Sequence, residues 1–175
     1  MNKEEIIKKG KEVIRIEAEA VFALIESIDD SFYSVIEKIF ECSGRVVLTG
    51  MGKSGLIARK IVATLNSTGT AAIYLHPSDA VHGDLGMVRK EDVVILLSKS
   101  GETEEIINLI PMLKRLEVTL IGMIGNTNSK IAREVDYILN VAVPEEACPF
   151  DLAPTASTTA TLAMGDAISV CLLKR

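Results

Sequence analysis

Five short runs of apolar residues, separated by longer stretches with a helical pattern, limit the fold of this chain more than any other feature. Each run is continuous rather than alternating, which is typical of strands that are covered on both faces in a parallel sheet. Strands that alternate with helices predict a layered α/β domain with right-handed crossovers. The predicted strands are residues 46–49, 71–75, 93–97, 119–124 and 137–141.

The residues before the first strand have the pattern of amphipathic helices. Apolar side chains recur with helical spacing from Ile7 to Ile28, and lysines and glutamates occupy the other face. We therefore expect one domain, residues 1–175, in which N-terminal helices fill 1–43 and an α/β core fills 44–175. The predicted helices are residues 3–28, 31–41, 54–67, 103–116, 128–134 and 155–173.

The composition of the chain excludes several functional classes. The 175 residues include 19 basic and 24 acidic side chains, and the resulting net charge of −5 disfavours a general nucleic-acid-binding protein. Because no apolar run reaches the ~18–20 residues that a membrane span needs, no contact with a membrane is expected. A mean hydropathy of +0.30 instead predicts that apolar surface is buried between the subunits of a homo-oligomer.

The cysteines and the N-terminus indicate the compartment. Cys42, Cys148 and Cys171 are odd in number and lack C-x-x-C spacing, which disfavours both a disulfide framework and a zinc site. The first residues lack the basic and apolar regions of a signal peptide. The sequence therefore predicts a cytoplasmic protein without a structural metal.

Two loops that follow predicted strands are candidate phosphate sites. Residues 50–55 (GMGKSG) follow the first strand, residues 98–103 (SKSGET) follow the third, and a helix is predicted after each loop. Ligands of open α/β sheets bind outside the carboxyl ends of the strands, where amide groups at helix N-termini attract anions. The hydroxyl groups that can add hydrogen bonds to a phosphate belong to Ser54, Ser98, Ser100 and Thr103.

Two familiar nucleotide-binding patterns fail on the first loop. Gly52-Lys53-Ser54 ends like a Walker A sequence, but Val47 stands where that sequence requires its first glycine. Gly50, Gly52 and Gly55 match G-x-G-x-x-G, yet the second strand does not end on the acidic residue that a dinucleotide site needs. Neither a nucleotide nor another cofactor is expected.

Both histidines and two groups of acidic residues are candidates for proton transfer. His76 and His82 lie in the loop after the second strand, and His82, beside Gly83-Asp84, is the better active-site candidate, with His76 structural. Their spacing is not a standard metal signature, so no metal is expected. The acidic candidates are Glu105, in the helix after the serine-rich loop, and Glu145-Glu146, beyond the fifth strand, where Glu146 could reach a substrate, although most glutamates are simply exposed.

Taken together, these segments resemble the sugar isomerase (SIS) domain family, and more closely the arabinose 5-phosphate isomerases. The resemblance runs from about residue 44 to 173 and lies in the order and content of its segments rather than in any single one. It depends on GMGKSG at 50–55, STGT at 67–70, HPSDAVHGDLGM at 76–87, SKSGET at 98–103, EACP at 146–149, LAPT at 152–155 and STT at 157–159.

The resemblance implies a three-layer fold with a five-stranded parallel sheet in flavodoxin-like order, assembled as a homotetramer. It implies the interconversion of D-ribulose 5-phosphate and D-arabinose 5-phosphate for lipopolysaccharide synthesis, without a cofactor. Long members append CBS modules, which residues 1–175 do not contain. The family pattern also continues beyond Arg175 into a segment with a histidine, so either the chain is truncated or His82 and the carboxylates suffice.

The resemblance also implies roles for individual residues. Lys53, Glu105 and Glu146 correspond to active-site residues of the family, and His82 corresponds to a further catalytic candidate. We expect Glu146 to be the base, with a pKa raised by burial, and Lys53 to stabilise the developing oxyanion. The implied phosphate-binding residues are Ser54, Ser98, Ser100, Gly101 and Thr103, and the implied sugar-binding residues are Gly52 and Thr68.

Two other functions fit the same sequence. A sugar-phosphate sensor would use the same pocket without catalysis. An isomerase for a hexulose or heptose phosphate would differ in the length of the pocket, which the sequence does not reveal.

Overall fold

A five-stranded, all-parallel sheet forms the centre of the protein in a computed structural model that describes residues 1–174. The strand order is β2-β1-β3-β4-β5, which is the predicted flavodoxin-like order. Strand β2 lies on one side of β1 and strands β3 to β5 lie on the other, so the strand order reverses between β1 and β3. The strands are β1 (Val46–Gly50), β2 (Ala72–Tyr74), β3 (Val93–Ser98), β4 (Thr119–Ile124) and β5 (Tyr137–Asn140).

Helices cover both faces of this sheet, which confirms the predicted three layers. In β1, Val46 and Leu48 pack into a cluster with α2, α3 and α7, whereas Val47 between them packs into a second cluster with α5. This alternation follows from the two-residue period of a strand. The helices are α1 (Lys3–Ala23), α2 (Asp30–Phe40), α3 (Gly52–Ser67), α4 (Pro77–Val81), α5 (Glu104–Arg115), α6 (Lys130–Glu134) and α7 (Ala156–Leu173).

The helices differ from the prediction by more than two residues in two places. The first helix ends at Ala23, and a separate 3₁₀ turn, Leu24–Ser27, follows it where the sequence predicts a continuous helix. The short helix α4 is not predicted, because its only sequence signal is Pro77 at the first helical position.

Two aspartates fasten the amino-terminal edge of the sheet. Asp92, whose side chain is buried, accepts hydrogen bonds from the backbone amides of Arg45 at 2.7 Å and Arg89 at 2.9 Å. Asp136 accepts one from the amide of Leu120 at 2.8 Å. Each carboxylate satisfies backbone donors at a point where a strand begins, so the strands enter the sheet in a fixed alignment.

Helix α7 is long and apolar enough, by length and composition alone, to cross a membrane, so the sequence-based expectation that no segment reaches this length overlooks it. In the structure α7 packs against α1 and α3. Ala160, Met164 and Ile168 are buried in the core, which accounts for its apolar character.

Candidate active site

The candidate site is a cavity of about 280 Å³ at the carboxyl edge of the sheet, between β1 and β3. This is the position where strand order reverses and where open α/β sheets bind their ligands. The volume is near the lower end of small-ligand pockets, ~300–1,000 Å³. The polar side chains that line it are Lys53, Ser54, Ser98, Lys99, Asp151, Ser157, Thr158 and Thr161.

The β3 loop (residues 98–103) is closed by its own hydroxyl groups. Ser98 Oγ accepts a hydrogen bond from the amide of Gly101 at 3.0 Å and lies 2.8 Å from Thr103 Oγ1. Ser100 Oγ accepts one from the amide of Glu102 at 3.1 Å. Gly101 has a φ of 66°, and a side chain there would collide with Ser129, so the tight turn requires glycine.

The β1 loop (residues 50–55) supplies the opposite side of the cavity. Gly52, with a φ of 53°, begins α3, and Lys53 and Ser54 follow it in the first turn, where both side chains line the cavity. The carbonyl of Gly50 accepts a 2.8 Å hydrogen bond from the hydroxyl of Tyr74. The end of β1 is therefore held by its neighbouring strand while the first turn of α3 faces the site.

Helix α3 begins at this cavity and α5 begins beside it, after the β3 loop, and neither receives a hydrogen bond from the side chain of its N-cap residue. Of the helices that begin elsewhere, α1, α2 and α6 receive one, from Asn2, Asp29 and Ser129, and the short helix α4 does not. Thr103, the N-cap residue of α5, turns its hydroxyl towards Ser98 instead. The amide groups at the N-termini of α3 and α5 therefore lack a side-chain acceptor from the N-cap residue, and amide groups of this kind attract anions.

Glu146 lies behind the wall of the cavity, and its side chain is only 2% exposed. Its Oε2 accepts hydrogen bonds from the amide of Thr155 at 2.7 Å, the hydroxyl of Thr155 at 3.0 Å and the amide of Ser157 at 3.3 Å. The carboxylate therefore caps the N-terminus of α7, whose own N-cap side chain, Thr155, does not. Its Oε1 accepts no well-formed hydrogen bond and faces Lys99 Nζ at 3.0 Å.

The predicted rise in the pKa of Glu146 is wrong. Burial alone acts in that direction, but hydrogen bonds from Ser157 and Thr155 and the ammonium group of Lys99 outweigh it and lower the pKa to about 2. The pKa of Lys99 is raised, because Glu146 and Asp151, at 3.0 and 3.4 Å, overcome the opposing effect of its partial burial. In this structure the pair is an ionised carboxylate beside an ammonium group.

A family model for the SIS domain matches residues 39–170. Arabinose 5-phosphate isomerase KdsD of Salmonella typhimurium is 56% identical over 165 residues, which cover 94% of this chain and 50% of the relative. The KdsD of Pseudomonas aeruginosa is 48% identical and covers 97% of this chain and 52% of the relative. This chain belongs to the SIS domain family. It spans about half the length of the curated relatives that it matches.

A solved SIS-fold structure agrees over nearly the whole chain. The c3406 protein of Escherichia coli CFT073, in complex with arabinose 5-phosphate, has a TM-score of 0.95 and is 42% identical. The match covers 99% of this chain and 93% of that one. The five-stranded parallel sheet flanked by helices is therefore the SIS fold in full.

Of the predicted SIS site residues, Lys53, Ser54 and Ser98 line the cavity. Ser100, Gly101 and Thr103 build the β3 loop beside it. Glu105 lies half-buried in the first turn of α5 and is not among the lining residues. His82 is exposed in the β2 loop (residues 75–88) and does not line the cavity either. His76 packs edge-on against the ring of Tyr74, with ring centroids 6.3 Å apart.

The structure does not support Thr68 as a sugar-binding residue of this cavity. Thr68 follows the last turn of α3, and its hydroxyl donates to the carbonyl groups of Thr64 and Leu65. A helix of 16 residues is about 24 Å long, so the two ends of α3 lie at opposite edges of the sheet. The sequence alone does not show at which edge of the sheet the hydroxyl group of Thr68 lies, because that depends on the length and position of α3.

Sequence analysis missed Lys99, Asp151 and Ser157 as site residues. Lys99 is part of the β3 loop, but its contact with Glu146 joins positions far apart in sequence and leaves no local pattern. Ser157 and Thr158 belong to a run of hydroxyl residues at the start of α7, a position where helix N-termini often meet ligands. That run is the one signal that could have pointed to the α7 side of the cavity.

Proposed function

We propose that this SIS domain interconverts D-arabinose 5-phosphate and D-ribulose 5-phosphate. The observation that carries the proposal is the β3 loop, which opens onto a cavity lined by Lys53 and Lys99 and backed by the buried carboxylate of Glu146. The KdsD relatives, by their names, act on arabinose 5-phosphate, and c3406, which is similar over nearly its full length, is in complex with that sugar phosphate. These similarities support the same substrate here.

The phosphate group is proposed to bind at the β3 loop and the start of α5. The uncapped helix end and the hydroxyl groups of Ser98, Ser100 and Thr103 offer donors to its oxygens. Ser54, at the start of α3, adds a donor from the other side of the cavity. This placement directs the sugar carbons towards the space between Lys53 and Glu146.

The chemistry requires a proton to move between C1 and C2 through an enediol. We assign the removal of the C2 proton of the aldose, and its return to C1, to the carboxylate of Glu146. A second proton moves from the hydroxyl oxygen on C2 to the oxygen on C1. The ammonium group of Lys53 stabilises the negative charge that develops on these oxygens, and neither redox chemistry nor a cofactor is needed.

The test is isomerisation of D-ribulose 5-phosphate, followed by NMR as arabinose 5-phosphate appears. Lys53→Ala is expected to lower kcat and kcat/KM together by more than threefold, a loss above ~0.7 kcal/mol of transition-state stabilisation. Lys60→Ala is the matched control, because Lys60 lies on the same helix and pairs with Asp166 in an exposed ion pair. Equal activity of the two variants would remove Lys53 from the mechanism.

The same assay separates the alternative functions. Binding of arabinose 5-phosphate without turnover would make the domain a sensor rather than an enzyme. A preference for a hexulose or heptose phosphate over the pentose phosphates would assign a different isomerase activity.

The oligomeric state, the location and the biosynthetic role of the protein are also proposals. We expect a homo-oligomer because α1 exposes Ile6, Ile14 and Phe22, each more than half accessible, and the tetramer is the state that the family resemblance implies. Measurement of the molecular mass by light scattering tests this state. A cytoplasmic location and a role in lipopolysaccharide synthesis stay predictions.

A further inference from the structure

Lys99 connects the β3 loop to the carboxylate of Glu146. It lies between two of the serines proposed to bind phosphate, while its ammonium group points across the cavity to Glu146 Oε1 at 3.0 Å. The only other carboxylate it contacts among residues 1–174 is that of Asp151, at 3.4 Å. A single side chain therefore joins the proposed phosphate site to the proposed base.

We propose that a phosphate group bound at the β3 loop draws Lys99 away from Glu146, so that the carboxylate is released for proton transfer only when the phosphate is in place. Lys99 is then a positioning residue that reports occupancy of the phosphate site to the base. The inference rests on the proposed function, since it assumes that the β3 loop binds phosphate.

Lys99 is the movable partner of this ion pair. Its side chain is 47% exposed, whereas that of Glu146 is 2% exposed and is fixed at Oε2 by three hydrogen bonds from Thr155 and Ser157. A lysine ammonium group sits on a flexible stem with rotatable donors, and it can exchange one anion for another. Glu146 has no comparable freedom, so competition for the cation must move the lysine.

Release of Lys99 changes the carboxylate in the direction that catalysis needs. Among residues 1–174, Lys99 is the one cation that pairs with Glu146; Asp151 pairs with the same lysine, and Lys53 lines the cavity in front of them. Loss of the nearest cation and arrival of an anion both favour the protonated form, which raises the pKa of Glu146 from about 2. A carboxylate with so low a pKa is a weak base, and catalytic efficiency rises as the pKa approaches the working pH.

The experiment follows the side-chain carboxyl carbon of Glu146 by ¹³C NMR across the acid range, with and without sulfate. Sulfate is the probe because it resembles the phosphate group and stays anionic across the acid range, as the dianion or as hydrogensulfate. The parent is compared with Lys99→Met and with Lys130→Met. The latter is a matched control, since Lys130 pairs with Glu102 of the same β3 loop at 3.1 Å and does not line the cavity.

In the parent and in Lys130→Met, sulfate is expected to raise the titration midpoint of Glu146 by about one pH unit or more, a tenfold change in proton affinity. In Lys99→Met the midpoint is already higher without sulfate, and sulfate moves it less than half as far. Thermal unfolding and the amide shifts of residues 98–103 verify that each variant is folded and binds sulfate.

Three results would overturn the inference, and they separate it from the proposed function. Equal sulfate-induced shifts in the parent and Lys99→Met would mean that the anion acts on Glu146 directly. Amide shifts in the β3 loop with an unmoved Glu146 would reject the coupling but leave phosphate binding intact. A β3 loop that shows no response to sulfate or to arabinose 5-phosphate would reject both.

Discussion

The β3 loop and the β2 loop follow the two strands that neighbour β1, yet they differ in their hydrogen bonds and in their exposure. In the β3 loop, serine and threonine hydroxyls close the turn, Gly101 is buried, and Lys99 reaches a buried carboxylate. The β2 loop contains only short helical turns, and His82, Gly83 and Asp84 are exposed. The difference teaches that the proposed phosphate loop is distinguished by a network of short-range hydrogen bonds to its side-chain hydroxyl groups, which the loop with both histidines, residues 75–88, lacks.

The largest effect is expected from Gly101→Ala, which places a side chain against Ser129 and forces a residue with Cβ into a left-handed conformation. These two costs together lower the free energy of unfolding by about 4 kcal/mol. Gly86→Ala in the β2 loop is the control, because no atom lies within 4 Å of the added carbon. Urea denaturation of both variants measures the contrast, and similar stabilities would show that the two loops are equally permissive.

Glu146→Gln tests how strongly the β3 side of the site is anchored. The pKa of Glu146 is depressed to about 2, so its contribution is fully present above the unfolded value of about 4.3 and is lost as pH falls through about 2. At neutral pH the variant is expected to be less stable by about 3 kcal/mol, and this difference shrinks towards pH 2. Denaturation curves at several pH values measure it.

Exposed Glu145 supplies the comparison for that experiment. Glu145→Gln is expected to change stability by less than about 0.5 kcal/mol at every pH. A loss for Glu146→Gln that stays constant with pH would mean that shape rather than charge matters at this position.

The smallest effects contrast one side chain from each loop. Ser98→Ala leaves the buried amide of Gly101 without its acceptor and is expected to cost about 2 kcal/mol of stability and to weaken phosphate binding. His82→Ala removes an exposed side chain and is expected to change stability by less than about 0.5 kcal/mol and leave phosphate affinity unchanged. Thermal unfolding and calorimetric titration with inorganic phosphate measure both. A large loss of affinity in His82→Ala would place the β2 loop in the phosphate site.

The sequence predicts the sheet well because buried parallel strands are long enough to leave continuous apolar runs. It overextends the first helix, since Leu24 and Ile25 continue the apolar pattern through a 3₁₀ turn. It identifies the β3 loop from small and hydroxyl residues, whose local hydrogen bonds follow from their spacing. It cannot reveal the ion pair between Lys99 and Glu146, because that contact depends on how β3 and the β5–α7 connection meet in space.

The direction of the pKa shift of Glu146 lies beyond the sequence for the same reason. Burial and hydrogen bonding act in opposite directions, and the positions of Thr155, Ser157 and Lys99 decide which is larger. Thr68 shows a second limit of the sequence. A threonine hydroxyl is suitable for sugar binding, but Thr68 lies at the far end of α3, at the edge of the sheet opposite the cavity.

Asp92 and Asp136, at the edge of the sheet away from the cavity, have a consequence for how this domain can change. They bind backbone amides, and the one side chain that pairs with Asp92, Arg45 at 3.5 Å, lies at the same edge, so strand alignment there does not depend on the residues of the loops on the far side. We therefore expect that the loops at the carboxyl edge can be exchanged without loss of the sheet. New ligand specificities can be engineered in those loops as long as Asp92 and Asp136 are kept.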